Sequence, residues 1–158
     1  SWIMTDIAIF AAGCFWGIEE KFLSTNGVKE TEVGYIGGKT DNPTYKEVCA
    51  GDTYHAEAVR VHYDSDEVTY DELLDIFFEI HDPTTLNRQG VDFGTQYRSS
   101  IFYLNDFQRL SSENKISQLN STRFNNSIVT TIEEAGSFWI AEEYHQKYIR
   151  KKKQSSFF

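Results

Sequence analysis

The 158-residue chain is poor in sulfur and in positive charge. It has two cysteines, Cys14 and Cys49, too few for a disulfide framework. Both thiols therefore read as reduced, which suits a cytoplasmic setting. It has one methionine, Met4. Residues 1–6 read as leader or added sequence, with Met4 as the natural start. Lys and Arg total 15 against 24 acidic residues, a net charge of −9, and an acidic surface argues against a nucleic-acid partner. The one basic cluster, "RKKKQ" at 150–154, reads as part of a solvated tail covering 150–158. No apolar run is long enough to cross a bilayer, and no signal-type leader precedes the first strand, so no membrane partner is expected. The histidines, His55, His62, His81 and His145, have no ligand spacing, so no metal is expected. "GYIGG" at 34–38 is glycine-rich but lacks a phosphate or dinucleotide fingerprint.

What remains is an ordinary globular composition on a length that suits one domain, residues 1–158. "IAIFA" at 7–11 reads as a buried strand broken by Gly13. Phe15, Ile18 and Phe22 follow at helical spacing, with Gly27 as a stop. Residues 28–38 read as extended and end in a glycine turn. "PTYKEVCAG" reads as a short helix or loop, and "AEAVRVHYD" at 56–64 as a strand. Residues 69–82 form an amphipathic pattern with Leu73, Leu74, Phe77 and Phe78 inward, stopping before Pro83. A long polar loop follows. Then come a strand in "SIFYL", a helix over 106–120, a strand over "SIVTTIEE" at 127–134 and a closing helix over 138–153. Strands and helices alternate without a simple βαβ series, so the expected class is a two-layer α+β sandwich with a mixed sheet.

Three features carry chemistry. In "AAGCFWGIEE", Cys14 sits where a strand gives way to a helix. Free backbone amides and the helix dipole at that point favour a thiolate, the attacking form of cysteine. Phe15 and Trp16 directly after it are suited to walling an apolar pocket for a small greasy substituent. In "AEAVRVHY", Glu57 shares a strand face with Val59, Val61 and Tyr63. A carboxyl at the end of an apolar row is either desolvated and kept neutral, able to donate a proton, or a strand-end group reaching water. In "NRQGVDFGTQYRS", Gly90 and Gly94 frame Asp92, and Tyr97 follows. The loop is either the polar lining of a site or a solvated loop anchored by Arg88 and Arg98.

Taken in order, "GCFWG", "GYIGG", "PTYKEVC", "HAEAVRVHYD", "HDPTTLNRQGVDFGTQYRS" and "EEYHQKY" resemble the A-type peptide-methionine sulfoxide reductases over residues 7–148. The resemblance implies a ferredoxin-like fold and reduction of the S epimer of methionine sulfoxide, free or in oxidised proteins. It implies no metal or bound organic cofactor; the expected reductant is an external thiol, glutathione with glutaredoxin or thioredoxin, and a monomer is the expectation. Cys14 then matches the nucleophile, Phe15 and Trp16 the wall receiving the S-methyl group, and Glu57 the carboxyl that protonates the sulfoxide oxygen. Tyr45, Asp92 and Tyr97 match the polar groups around the substrate. Attack by Cys14 leaves a sulfenic acid.

The chain departs from the family pattern in places. No cysteine follows Tyr148, where many relatives carry recycling thiols. A one-cysteine cycle is therefore expected, with Cys49 as the competing resolving thiol. Tyr54 stands where relatives usually have glycine, and Phe78 where tryptophan is usual. Rival classes are another thiol enzyme, a peroxidase or a cysteine hydrolase, and a non-catalytic module that binds oxidised methionine.

Overall fold

The computed structural model describes residues 4–155; Ser1–Ile3 of the expected leader and residues 156–158 of the expected tail lie outside them. The central strand β1 (Asp6–Ala12) runs into helix α1 (Phe15–Leu23), and β2 (Val28–Ile36) follows. A one-turn helix α2 (Tyr45–Cys49) precedes β3 (Ala56–Tyr63) and α3 (Tyr70–Glu79). A two-residue-per-strand hairpin, β4 (Arg88–Gln89) with β5 (Asp92–Phe93), leads through a 3-10 turn to β6 (Ser99–Tyr103). The chain ends with α4 (Asp106–Thr122), β7 (Thr131–Glu134), β8 (Trp139–Ile140) and α5 (Tyr148–Ser155).

Six strands form one mixed sheet in the order β7-β6-β1-β3-β2-β8. Only β6 and β7 pair in parallel; the other pairs are antiparallel. Alternation along β1 separates the two faces. Ala8, Phe10 and Ala12 join the larger core with Phe15, Ile18 and Phe22 of α1 and Leu73, Leu74, Phe77 and Phe78 of α3. Ile9 and Ala11 join a smaller cluster on the other face, with Ile36, Ala56, Ala58 and Phe102. The α+β reading holds, and Phe78 is a buried member of the larger core.

Local chemistry explains the helix starts. Thr44 and Thr69 each form a capping box, with Glu47 and Glu72 three residues on. Asn105 caps α4 by accepting from the Gln108 amide.

Two expectations are corrected. The strand over 127–134 is confined to Thr131–Glu134. The Ile128 and Val129 amides donate instead to the Asn120 side chain and the Pro83 carbonyl, outside any ladder. The closing helix over 138–153 begins only at Tyr148. Trp139 and Ile140 pair with Tyr35 and Gly34 as a strand, and Lys147 at φ 54° interrupts helical geometry. Lys151–Ser155 are exposed and lie on α5, from which Arg150 and Lys153 reach Glu20 at 3.3 and 3.4 Å.

Candidate active site

The β1–α1 junction organises the site. Gly13 turns the chain at φ 99°, a conformation open to glycine. A Cβ there would meet the Gln89 side chain at 2.8 Å, so the β4–β5 hairpin lies against this turn. Gln89 is itself fixed: its amide group accepts from the Asp82 backbone N–H and donates to the Asp82 carbonyl, at 2.8 and 2.9 Å.

Cys14 is the N-cap residue of α1, and its side chain makes no capping bond. Burial pushes its thiol up to about 11. The Trp16 and Gly17 amides pull in the opposite direction, while Glu57 and Asp92 add to the rise. The helix start therefore favours thiolate as the sequence implies, but desolvation outweighs it, and the resting group is a neutral thiol.

Glu57 is 1% exposed, which decides between the two sequence readings in favour of the desolvated carboxyl. It stands opposite Tyr35 across the β2–β3 pair. Its Oε1 accepts the Phe15 backbone N–H at 3.2 Å, and its Oε2 is buried without a partner among the described residues. Burial raises its pKa to about 7; the Phe15 bond opposes the rise and Asp92 adds to it. The same backbone segment thus carries the nucleophile at Cys14 and grips the carboxyl at Phe15.

The two tyrosines and the aspartate converge on this pair. Tyr45 opens α2, its amide held by Glu142 Oε2 at 2.8 Å. Burial raises the pKa of its hydroxyl, which donates toward the Cys49 thiol, and the Glu57 and Tyr97 charges act in the same direction. Tyr97 closes the 3-10 turn that follows Gly94. Its hydroxyl is also raised, first by burial and then by Glu57, Cys49, Asp92 and Cys14. Asp92, on β5, is half-buried and acts on both Cys14 and Glu57. The polar loop is both things the sequence allowed. It is tied down, with Arg88 donating to the Gly90 carbonyl at 2.8 Å and Arg98 to the Tyr54 and Thr95 carbonyls at 2.9 and 3.0 Å. It also delivers Asp92 and Tyr97.

The aromatic pair divides. Phe15 is 1% exposed, packed against Tyr35 and His145 with ring centroids at 5.7 and 5.1 Å. Trp16 is only partly buried. Cys49 is exposed at the end of α2; burial of its sulfur raises its pKa, and the Tyr45 hydroxyl opposes that. Both cysteines are free. Tyr54 has φ 60°, the left-handed region that glycine favours, so glycine would fit this turn. Its ring is exposed, with the Lys39 ammonium 4.2 Å from the centroid.

Sequence reasoning missed the support around these groups. Glu142 accepts the Tyr35 hydroxyl at 2.8 Å as well as the Tyr45 amide, so one carboxylate joins β2 to α2. His145 accepts the Trp16 indole N–H at 2.8 Å. Both lie in the stretch read as helix; the motif "EEYHQKY" was the available signal, but the tertiary contacts were not. Among the described residues no cluster of three or more His, Cys, Asp or Glu side chains is arranged to hold a metal ion. No helix among them is long and apolar enough to cross a membrane.

A family model described as peptide methionine sulfoxide reductase matches residues 6–157. The chain belongs to that family. It is an oxidoreductase, and its reaction is reduction of methionine sulfoxide at the expense of thiols. Similar curated proteins include MsrA of Methanothermobacter thermautotrophicus, 57% identical over 91% of this chain and 86% of that protein. MsrA of Pasteurella multocida is 52% identical over 98% and 88%. Among solved structures, reduced Mxr1 from Saccharomyces cerevisiae superposes with a TM-score of 0.89 at 40% identity, over 96% of this chain and 87% of that one. Mxr1 in complex with Trx2 matches with a TM-score of 0.66 at 25% identity, over 94% and 87%.

Proposed function

We propose that this chain reduces the S epimer of methionine sulfoxide, free or within oxidised proteins, with Cys14 as nucleophile and Glu57 as general acid. The carrying observation is the Glu57 carboxyl. It is buried, tied by one oxygen to the Phe15 amide, unpartnered at the other, and raised to about 7 beside Cys14. A sulfoxide sulfur is attacked only if its oxygen is protonated as the new bond forms. A neutral carboxyl with a free oxygen is suited to that step.

The Cys14 sulfur bonds to the sulfoxide sulfur while the Glu57 proton moves to the sulfoxide oxygen. The hydroxyl then passes to Cys14, and the thioether leaves. The substrate gains two electrons, Cys14 loses two, and the products are methionine and a Cys14 sulfenic acid. The proton lost from the Cys14 thiol restores Glu57. Tyr45 and Tyr97 hydrogen-bond the oxygen, Asp92 orients the substrate, and the S-methyl group rests against Trp16 over the buried Phe15.

An external thiol attacks the sulfenic acid and expels water; a second thiol releases the mixed disulfide. The complex of the related Mxr1 with Trx2 supports thioredoxin as the reductant, with glutathione and glutaredoxin as the other route. The rival course is resolution by Cys49, whose exposed thiol shares the Tyr45 hydroxyl. We read residues 1–158 as one domain, active as a cytoplasmic monomer.

The test is one turnover without reductant. Reduced protein is mixed with excess S-epimer methionine sulfoxide, thiols and sulfenic acid are trapped separately, and the intact chain is weighed. One methionine per chain with sulfenic acid at Cys14 and a free Cys49 is expected. A Cys14–Cys49 disulfide would replace the recycling scheme. Absence of methionine would remove the activity.

A further inference from the structure

The Trp16 indole is held from two sides. Its Nε1–H donates to His145 Nδ1 at 2.8 Å, and its ring stacks on Tyr148 with centroids 3.9 Å apart and planes within 13°. His145 is 0% exposed. Its ring lies against Phe15, Tyr45 and Tyr144, at 5.1, 4.5 and 4.0 Å between centroids. The backbone carrying it is rigidly mounted. Gln146 accepts from the Val33 amide and donates to the Val33 carbonyl, both at 2.9 Å, and the Lys147 amide donates to buried Glu19 at 2.7 Å.

An imidazole that accepts at Nδ1 carries its proton on Nε2. His145 Nε2 is buried and has no partner among the described residues. A buried donor left without a partner costs stability, and an aromatic hydrocarbon ring would fill the same tilted cluster of rings without that cost. What histidine supplies here, and phenylalanine would not, is one acceptor aimed at the indole N–H.

We propose that His145 is a positioning residue that sets the orientation of the Trp16 indole, and through it the affinity and epimer preference of the site. This rests on the reading of Trp16 as the surface that receives the S-methyl group. Rotation of the indole about its side-chain bonds would move that surface relative to Glu57, the source of the proton. The epimer that presents its oxygen to Glu57 is then no longer selected as sharply.

The test compares His145→Phe, His145→Asn, Trp16→Phe and the double variant His145→Phe/Trp16→Phe with the parent. Phe keeps the tilted ring contacts and removes the acceptor. Asn places Oδ1 where it accepts the indole N–H. Expected for His145→Phe is a KM for the S epimer raised about tenfold, in the range of a small misplacement, with a smaller change in kcat and a weaker preference for the S over the R epimer. His145→Asn restores most of the affinity. In the Trp16→Phe background the His145→Phe change adds nothing, because the donor is already gone. The indole N–H proton resonance of Trp16, assigned by its loss in Trp16→Phe, moves upfield in His145→Phe and stays in His145→Asn. An unchanged KM in His145→Phe overturns the proposal, as does an equal effect in the Trp16→Phe background. If His145→Phe does not fold, an indole resonance unmoved in His145→Asn together with parental KM supports it, and a KM raised in His145→Asn with the indole bond intact overturns it. Failure of the parent itself to release methionine would instead strike the proposed function.

Discussion

Replacing Glu57 by Gln isolates one proton. The amide oxygen of Gln still accepts the Phe15 N–H that Oε1 accepts at 3.2 Å, so the β3–α1 contact survives. The lost element is the titrating carboxyl. In the free protein the thiol sits at about 11 and the carboxyl at about 7, so between these values the pair holds one proton, on sulfur. The attacking arrangement, thiolate with carboxylic acid, has the same single proton and differs only in its location. The gap of about 4 units makes it about one part in 10⁴ before substrate binds. Its population therefore rises with pH through about 7 and is then flat toward about 11. In Glu57→Gln the thiol must lose its proton to solvent, so the break near 7 and the plateau above it disappear. The rate should then climb about tenfold per pH unit below the thiol's value. Near pH 8 the loss of acid catalysis should lower methionine formation by about 10²–10⁴-fold.

The same substitution should stabilise the fold. Glu57 has a folded pKa above its unfolded value, so its contribution is fully present below about 4.5 and is lost as pH rises through about 7. That shift corresponds to roughly 3 kcal/mol as an upper figure, which Gln would recover at pH 8. The assay is single-turnover methionine release from pH 5 to 10, paired with urea unfolding at pH 5 and 8. A Glu57→Gln protein with parental rates and the same flat profile above neutrality would refute the general-acid role. No stability gain at pH 8 would refute the desolvated carboxyl.

Other consequences follow from the same contacts. Cys49→Ser should leave turnover supported by an external thiol unchanged, and Cys14→Ser should abolish it; methionine release with dithiothreitol decides. Glu142→Ala frees both the Tyr35 hydroxyl and the Tyr45 amide, so KM should rise as α2 loses its mooring, measured by steady-state kinetics. Gly34→Ala would place a Cβ 2.5 Å from the Trp139 carbonyl oxygen. It should cost about 1–3 kcal/mol in urea unfolding and lower activity by displacing β8 and the segment behind it. His81 is held neutral by burial, its pKa lowered to about 4, with its ring nitrogens on the Phe77 carbonyl and Ser99 hydroxyl. Stability from His81 is present above about 6.5 and is lost as pH falls toward 4, by roughly 3 kcal/mol; His81→Gln should flatten this acid limb in thermal melts.

Much of the fold is legible locally because the signals are local. The alternation in "IAIFA", the inward Leu73, Leu74, Phe77 and Phe78, and the caps at Thr69 and Asn105 depend on residues within a few positions. The closing segment is different. Its pattern suits a helix, but the ladder to Gly34 and Tyr35 and the bonds from Gln146 to Val33 override it. Phe15 and Trp16 are adjacent letters with different fates, one sealed in the core and one partly open.

From the chain alone came the class of fold, the family, and the identity of Cys14, Glu57, Tyr45, Asp92 and Tyr97 as the residues to watch. These are carried by motif order and by strand and helix periodicity, which need no third dimension. Tertiary structure alone decided the protonation balance: the helix start at Cys14 argues for thiolate, and burial reverses it. It alone decided which Glu57 oxygen is free, and it alone brought Glu142 and His145, about 130 residues along the chain from Cys14, behind the catalytic groups. The reason is physical. Desolvation and hydrogen-bond partnership depend on what surrounds a group on every side, and a linear chain specifies only its two neighbours.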